Sequence, residues 1–133
     1  MNFNSSLTIW YSANKRDLPW RRSKNPYNIW LSEIILQQTQ VKQGLPYYEA
    51  FISKFSSIQD LANASETEVL KLWQGLGYYS RARNLHFSAK YITEHLGGVF
   101  PQNYKELLQL KGVGDYTASA IASICYEESV AVV

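Results

Sequence analysis

The stretch from Asn25 to Gln40, NPYNIWLSEIILQQTQ, constrains the fold more than any other part of the chain. Asn25-Pro26 opens a helix, with proline in the first turn where its missing N–H is tolerated, and the spacing predicts helix through about Gln40. At 100° per residue, Ile29, Trp30, Leu31, Ile34, Ile35 and Leu36 occupy nearly every side of it. A helix that is apolar all round has no face to offer water, so other elements must wrap it. One carboxylate, Glu33, lies inside this apolar set, between Ile29 and Trp30 in projection, with Gln37 one turn later. Burial disfavours its charged form. Two readings account for such an acid: a structural ion pair with Arg21, Arg22, Arg81 or Arg83, or a carboxyl kept protonated so that it can give its proton away.

The remaining chain is also punctuated into helices. Ser5 or Ser6 caps a first helix bearing Leu7, Ile9, Trp10 and Ala13, which Leu18-Pro19-Trp20 ends. Residues 45–55 read as a helix, and Ile58 to Ala62 as a short one. Ser65-x-x-Glu68 is a capping box ahead of Val69, Leu70, Leu72 and Trp73, stopped at Gly75-Leu76-Gly77. A long helix runs from about Tyr79 to Leu96, closed by Gly97-Gly98 and Pro101. Asn103 to Leu110 makes a short helix, and Asp115 to Tyr126 the last. No alternating strand pattern is strong enough to assign, so the expectation is an all-α domain of short helices and short connections.

At 133 residues, with 46% hydrophobic and 18% charged residues, the chain can build one real core and is not a disordered tail. The net charge of +2 implies no nucleic-acid partner by itself, but its distribution is uneven. Lys15, Arg16, Arg21, Arg22 and Lys24 gather on one segment, and Arg81 and Arg83 follow Tyr78 and Tyr79, while acids collect at Asp60, Glu66, Glu68, Glu127 and Glu128. That segregation fits either solvated helix faces or one phosphate-facing side. Cys125 is the chain's single cysteine, so no internal disulfide and no cysteine-based metal cluster can form within it. The N-terminus lacks the apolar run of a signal peptide, no segment is apolar enough to span a membrane, and a reducing, cytoplasmic setting is expected.

The sharpest local motif is Leu110-Lys111-Gly112-Val113-Gly114 followed by Asp115-Tyr116-Thr117-Ala118. Glycines adopt backbone angles that other residues resist, and their bare backbone lets a phosphate approach. The next helix presents unpaired N–H groups and a partial positive charge. The motif is either a tight turn between helices or an anion cradle that holds a nucleic-acid backbone without reading bases. Asp115 argues against the cradle unless its carboxylate points away. The pattern resembles a helix-hairpin-helix spanning about 103–126. Gly75-Leu76-Gly77 has a similar shape but reads as a helix stop followed by an aromatic probe, Tyr78.

Taken together, Leu18-Pro19-Trp20-Arg21, Trp30-Leu31-Ser32-Glu33, Leu36-Gln37-Gln38-Thr39-Gln40-Val41, Gly75-Leu76-Gly77-Tyr78-Tyr79 and the hairpin turn stand in the order found in adenine DNA glycosylases of the MutY type. The resemblance runs from about Leu7 to Val133. It implies the six-helix barrel of the helix-hairpin-helix glycosylases over residues 17–133, preceded by an N-terminal helix, residues 1–16, that packs on an iron–sulfur half. It implies an enzyme acting on duplex DNA with adenine opposite 8-oxoguanine or guanine, as a monomer on nucleoid DNA of a bacterial cytoplasm. Such an enzyme flips the adenosine out of the stack. Glu33 matches the family's general acid. Tyr78 and Gln38 match side chains inserted beside the mispair, with Leu36, Gln37 and Thr39 in the same contact region. Arg16 and Arg21 match the pocket and phosphate side, and Gly112, Val113 and Gly114 the phosphate-holding turn. The related endonuclease III branch carries a lysine nucleophile where this chain has Tyr116, so base hydrolysis without a Schiff base is implied.

Family members place a second carboxylate, an aspartate in Asp-Gly-Asn-Val, just after the position of Val133, then four cysteines for a [4Fe–4S] cluster and a C-terminal domain. The expectation is therefore a fragment that keeps the acid half of the pocket and works feebly alone. No metal site is expected within the chain itself, although the resemblance admits a monovalent cation at the hairpin turn. The alternatives are a non-catalytic helix-hairpin-helix DNA-binding module and a bifunctional endonuclease III relative, the latter opposed by Tyr116.

Overall fold

A computed structural model describes residues 25–37 and 40–126. Every regular element among them is helical: α1 Pro26–Leu36, α2 Val41–Lys54, α3 Ile58–Asn63, α4 Glu66–Trp73, α5 Tyr79–His95, α6 Tyr104–Leu107 and α7 Asp115–Tyr126. The predicted N-terminal helix, with Arg16 and Arg21, lies outside the described residues, as do Gln38 and Thr39.

Helix α1 occupies the centre, as its all-round apolar surface requires. Its residues from Ile29 to Ile35 are all buried, and five of them, Ile29, Trp30, Leu31, Ser32 and Ile35, have no exposed surface. Asn25 caps it, its side chain accepting from the Tyr27 amide at 2.9 Å. Ser32 avoids stranding a hydroxyl in this environment by donating to the Ile29 carbonyl at 2.7 Å. Helices α2, α5 and α7 all pack on α1, while α3 and α4 lie against α5, and α6 pairs with α7 as the hairpin. Trp30 meets Phe100 edge-on at 5.3 Å, and Trp73 meets Phe51 at 6.0 Å. The first pair ties α1 to the loop after α5 and the second ties α2 to α4, and burying each ring adds about 1.5–3 kcal/mol.

Several caps form as their sequences dictate. Ser65 and Glu68 make the full capping box of α4. Asn103 and Ser57 cap α6 and α3 through the Glu106 and Asp60 amides. Three boundaries differ from the sequence reading, one of them at α6, which ends at Leu107 rather than Leu110 as the chain turns toward Gly112. Helix α1 stops at Leu36 rather than about Gln40, because its last carbonyls are taken by a side chain from α5. Helix α2 starts at Val41 rather than near 45 and carries Pro46 inside it. Pro46 is exposed, so water can satisfy the carbonyl that its missing N–H leaves bare.

Candidate functional site

Glu33 sits in the middle of α1 with 5% of its surface exposed. Burial pushes its carboxyl up to about 8, so the protonated acid prevails at neutral pH. Of the arginines that could have made it half of an ion pair, Arg83 instead donates to Glu66 at 3.2 Å on the surface. Arg81 turns to backbone: its Nη1 donates to the carbonyls of Ile34 at 2.9 Å, Ile35 at 3.5 Å and Gln37. Arg21 and Arg22 lie outside the described residues. The geometry therefore supports the proton-holding reading over a pair with Arg81 or Arg83.

The end of α1 is tied to the start of α7: Gln37, just past Leu36, donates through Nε2 to Thr117 Oγ1 at 3.3 Å. Tyr116, beside Thr117, is half-buried, and Leu36 is half-buried against the core. Sequence reading had not singled out Thr117. Its signal was its place in the helix start immediately after the hairpin glycines.

The segment Gly75–Tyr78 leads from α4 into α5 with an unusual backbone. Gly75 and Gly77 have φ of +100° and +76°, and Tyr78 follows at +52°, a left-handed conformation that bulky residues rarely adopt. Trp73 Nε1 pins the segment by donating to the Gly77 carbonyl at 2.9 Å. Leu76 is buried beneath it, whereas the Tyr78 ring is 68% exposed. The strain is therefore held at a residue whose ring packs little of its surface, and the contacts around Trp73 and Leu76 keep the backbone in place.

The hairpin turn is built differently. Gly112 has φ +84°, and a Cβ there would stand 3.1 Å from Asn84 Cβ on α5. Gly114 has an ordinary φ and open space around it, so only the first glycine is required by backbone conformation and the second leaves room in front of α7. Val113, buried between them, anchors the turn, and Ser88 on α5 donates to the Lys111 carbonyl at 3.0 Å. Asp115, the acid that counted against an anion cradle, has its Oδ1 engaged by the Tyr104 hydroxyl at 2.8 Å. Lys111 Nζ lies 4.9 Å from the centre of the exposed Phe87 ring.

Among the described residues no cluster of His, Cys, Asp and Glu could hold a metal ion. An iron–sulfur cluster takes four cysteine thiolates, and the chain's single cysteine, Cys125, is half-buried against the core, so these residues do not fit such a cluster. No helix among the described residues is long and apolar enough to cross a membrane.

Comparison with known proteins agrees with this arrangement. The adenine DNA glycosylase of Homo sapiens is 48% identical over 140 residues, covering 98% of this chain and 26% of the relative. That of Buchnera aphidicola (subspecies Baizongia pistaciae) is 46% identical over 122 residues, covering 91% of this chain and 35% of the relative. The chain thus spans about a quarter to a third of the length of these relatives. Among solved structures, a thermostable thymine-DNA glycosylase superposes with a TM-score of 0.79 at 30% identity, covering 95% of this chain and 58% of that one. An endonuclease III–DNA complex superposes with a TM-score of 0.73 at 18% identity, covering 96% and 62%, a likeness of fold. Residues 31–129 match the model of the HhH-GPD superfamily of base excision DNA repair proteins, and to that superfamily this chain belongs.

Proposed function

We propose that this chain is the acid-bearing, DNA-gripping part of an adenine DNA glycosylase that hydrolyses the bond between adenine and deoxyribose in mispaired duplex DNA. The observation that carries this reading is Glu33, a carboxyl protonated near neutrality inside the central helix, about one turn before the end of that helix to which Arg81 of α5 and Thr117 of α7 attach. Adenine is a poor leaving group as an anion. A proton passed from Glu33 to a ring nitrogen lets it depart neutral, water adds to the sugar carbon, and the products are free adenine and an abasic site. The sugar becomes cationic as the bond breaks and needs a nearby carboxylate. That role falls to the aspartate which the family resemblance places after Val133.

The hairpin turn holds a phosphate through the bare backbone at Gly114 and the N-terminus of α7. Tyr78 enters the stack beside the target pair, which lowers the cost of flipping. Tyr116 occupies the first turn of α7 without an amine, so no Schiff base forms and the strand stays intact. Adenine opposite 8-oxoguanine or guanine is the proposed substrate.

The test is single-turnover adenine release by the full gene product from duplexes carrying adenine opposite 8-oxoguanine, guanine or thymine. Release from the first two, with Glu33→Gln slower by about 10²–10⁴-fold at unchanged DNA affinity, is expected for loss of a general acid. No release, or full activity in Glu33→Gln, would overturn the reading. DNA binding without base release would favour a binding module instead.

A further inference from the structure

Arg81 holds together two parts of the molecule that sequence reading treated separately. Its Nη1 spans the final carbonyls of α1, those of Ile34, Ile35 and Gln37, one turn beyond Glu33. The Cζ of the same guanidinium lies over two rings, 5.1 Å from the centre of Trp73 and 5.7 Å from that of Tyr78. Trp73 in turn holds the Gly77 carbonyl. One side chain therefore touches the end of the acid-bearing helix and the strained segment that displays Tyr78.

Local stability does not explain the choice of arginine. Its Nε and Nη2 are buried with no hydrogen-bond partner among the described residues, which is costly for a cation. An apolar residue of similar length would fill the space without stranding donors. What arginine adds is a flat cation for two aromatic faces and an N–H group that closes the carbonyl end of α1.

Resting on the glycosylase reading above, we propose that Arg81 is a positioning residue that locks Tyr78 and the Glu33 turn of α1 into one unit. A duplex that seats on Tyr78 is thereby registered against the acid. Single-turnover adenine release and duplex affinity are measured on the full gene product for Arg81→Met, Tyr78→Ala and the double substitution. Arg81→Met is expected to slow release about tenfold or more while affinity changes less than about threefold, because misregistration penalises the chemical step rather than encounter. The double substitution is expected to be no slower than the slower single one, the mark of two residues acting through one element. Arg81→Lys, which keeps a cation over Trp73, is expected to recover part of the rate and carries the same cycle if Arg81→Met does not fold.

Losses that multiply independently, or release and affinity that fall together in step with melting temperature, would overturn the proposal while leaving the glycosylase reading intact. An unsubstituted protein that releases no adenine would overturn both.

Discussion

Two turns in this chain share the pattern Gly-x-Gly, and they do different work with it. In Gly75–Leu76–Gly77 both glycines are left-handed, and the conformation runs on into Tyr78, whose ring is thrown into solvent. In Gly112–Val113–Gly114 only the first glycine is left-handed, and the second opens space before the N-terminus of α7. The middle residue, Leu76 or Val113, is buried in both and fixes the turn to the core. Each turn then starts a helix that sends one side chain to the end of α1, Arg81 from α5 and Thr117 from α7. The same glycine spacing thus yields an exposed aromatic in one case and open space before a helix N-terminus in the other. The residue that follows decides which: a strained aromatic, or a helix start whose acid is held by Tyr104.

If both turns serve a site selected for chemistry, the acid buried in the helix to which they are tied should cost stability. The folded carboxyl of Glu33 titrates at about 8 against 4.5 in an unfolded chain, so between those values the folded state keeps a proton that the unfolded state loses. Stability contributed by the protonated acid is complete below pH 4.5 and drains away as pH rises to 8. Glu33→Gln should therefore match the unsubstituted protein near pH 4 and exceed it above pH 8, by as much as about 5 kcal/mol. Chemical denaturation at several pH values measures this directly. A constant difference across the range would show that burial does not govern this acid.

The glycines come next, and they should separate the two turns. Gly75→Ala must place a methyl group at φ +100°, where it would collide with the Tyr47 hydroxyl and disturb that hydroxyl's 2.8 Å bond to the Gln74 carbonyl. A loss of about 2–4 kcal/mol is expected. Gly112→Ala is strained at φ +84° and tight against Asn84, with a loss of about 1–2 kcal/mol. Thermal melts of the two variants test the order. If Gly112→Ala proves the more damaging, the hairpin is the more tightly built turn.

Much of this was legible in the sequence where the physics is local. Helix α7 spans the residues its spacing predicted, and the Ser65–Glu68 box formed, because caps and periodicity act within a few residues. The burial of Glu33 followed from an apolar surface with no polar face. The C-terminal boundary of α1 was not legible, since a guanidinium 44 residues away in sequence accepts the task of closing it. Nor was the difference between Gly114 and its partner, because composition does not reveal which of two glycines the backbone needs. From the sequence, Arg81 reads as an ion-pair candidate for Glu33 or as part of a phosphate-facing group, not as a cap on α1. Only the packing of α5 on α1 turns it toward carbonyls and rings.

Tyr78 tests whether the probe turn carries strain for a purpose. Tyr78→Gly removes the left-handed penalty and gives up little packing, since the ring is mostly exposed. Offset by the entropy of a more flexible chain, stability should change by less than about 1 kcal/mol, with a gain the expected sign. Adenine release should nevertheless fall. A variant that is as stable but slower would identify the strain as functional, whereas a clearly destabilised one would mean that the ring's contact with Arg81 holds the turn.

Gly114→Ala should have the smallest effect on stability and the most selective effect on binding. Its φ is ordinary and a Cβ there meets nothing within 4 Å, so the fold should accept alanine within about 0.5 kcal/mol. If the open space is where a DNA phosphate sits, the same methyl group should weaken duplex affinity several-fold and do so for every sequence alike, because the contact reads backbone and not bases. Fluorescence anisotropy with matched and mispaired duplexes, paired with a thermal melt, separates the outcomes. Unchanged affinity in a stable variant would reduce the hairpin to a tight turn and leave Tyr78 as the turn that meets DNA.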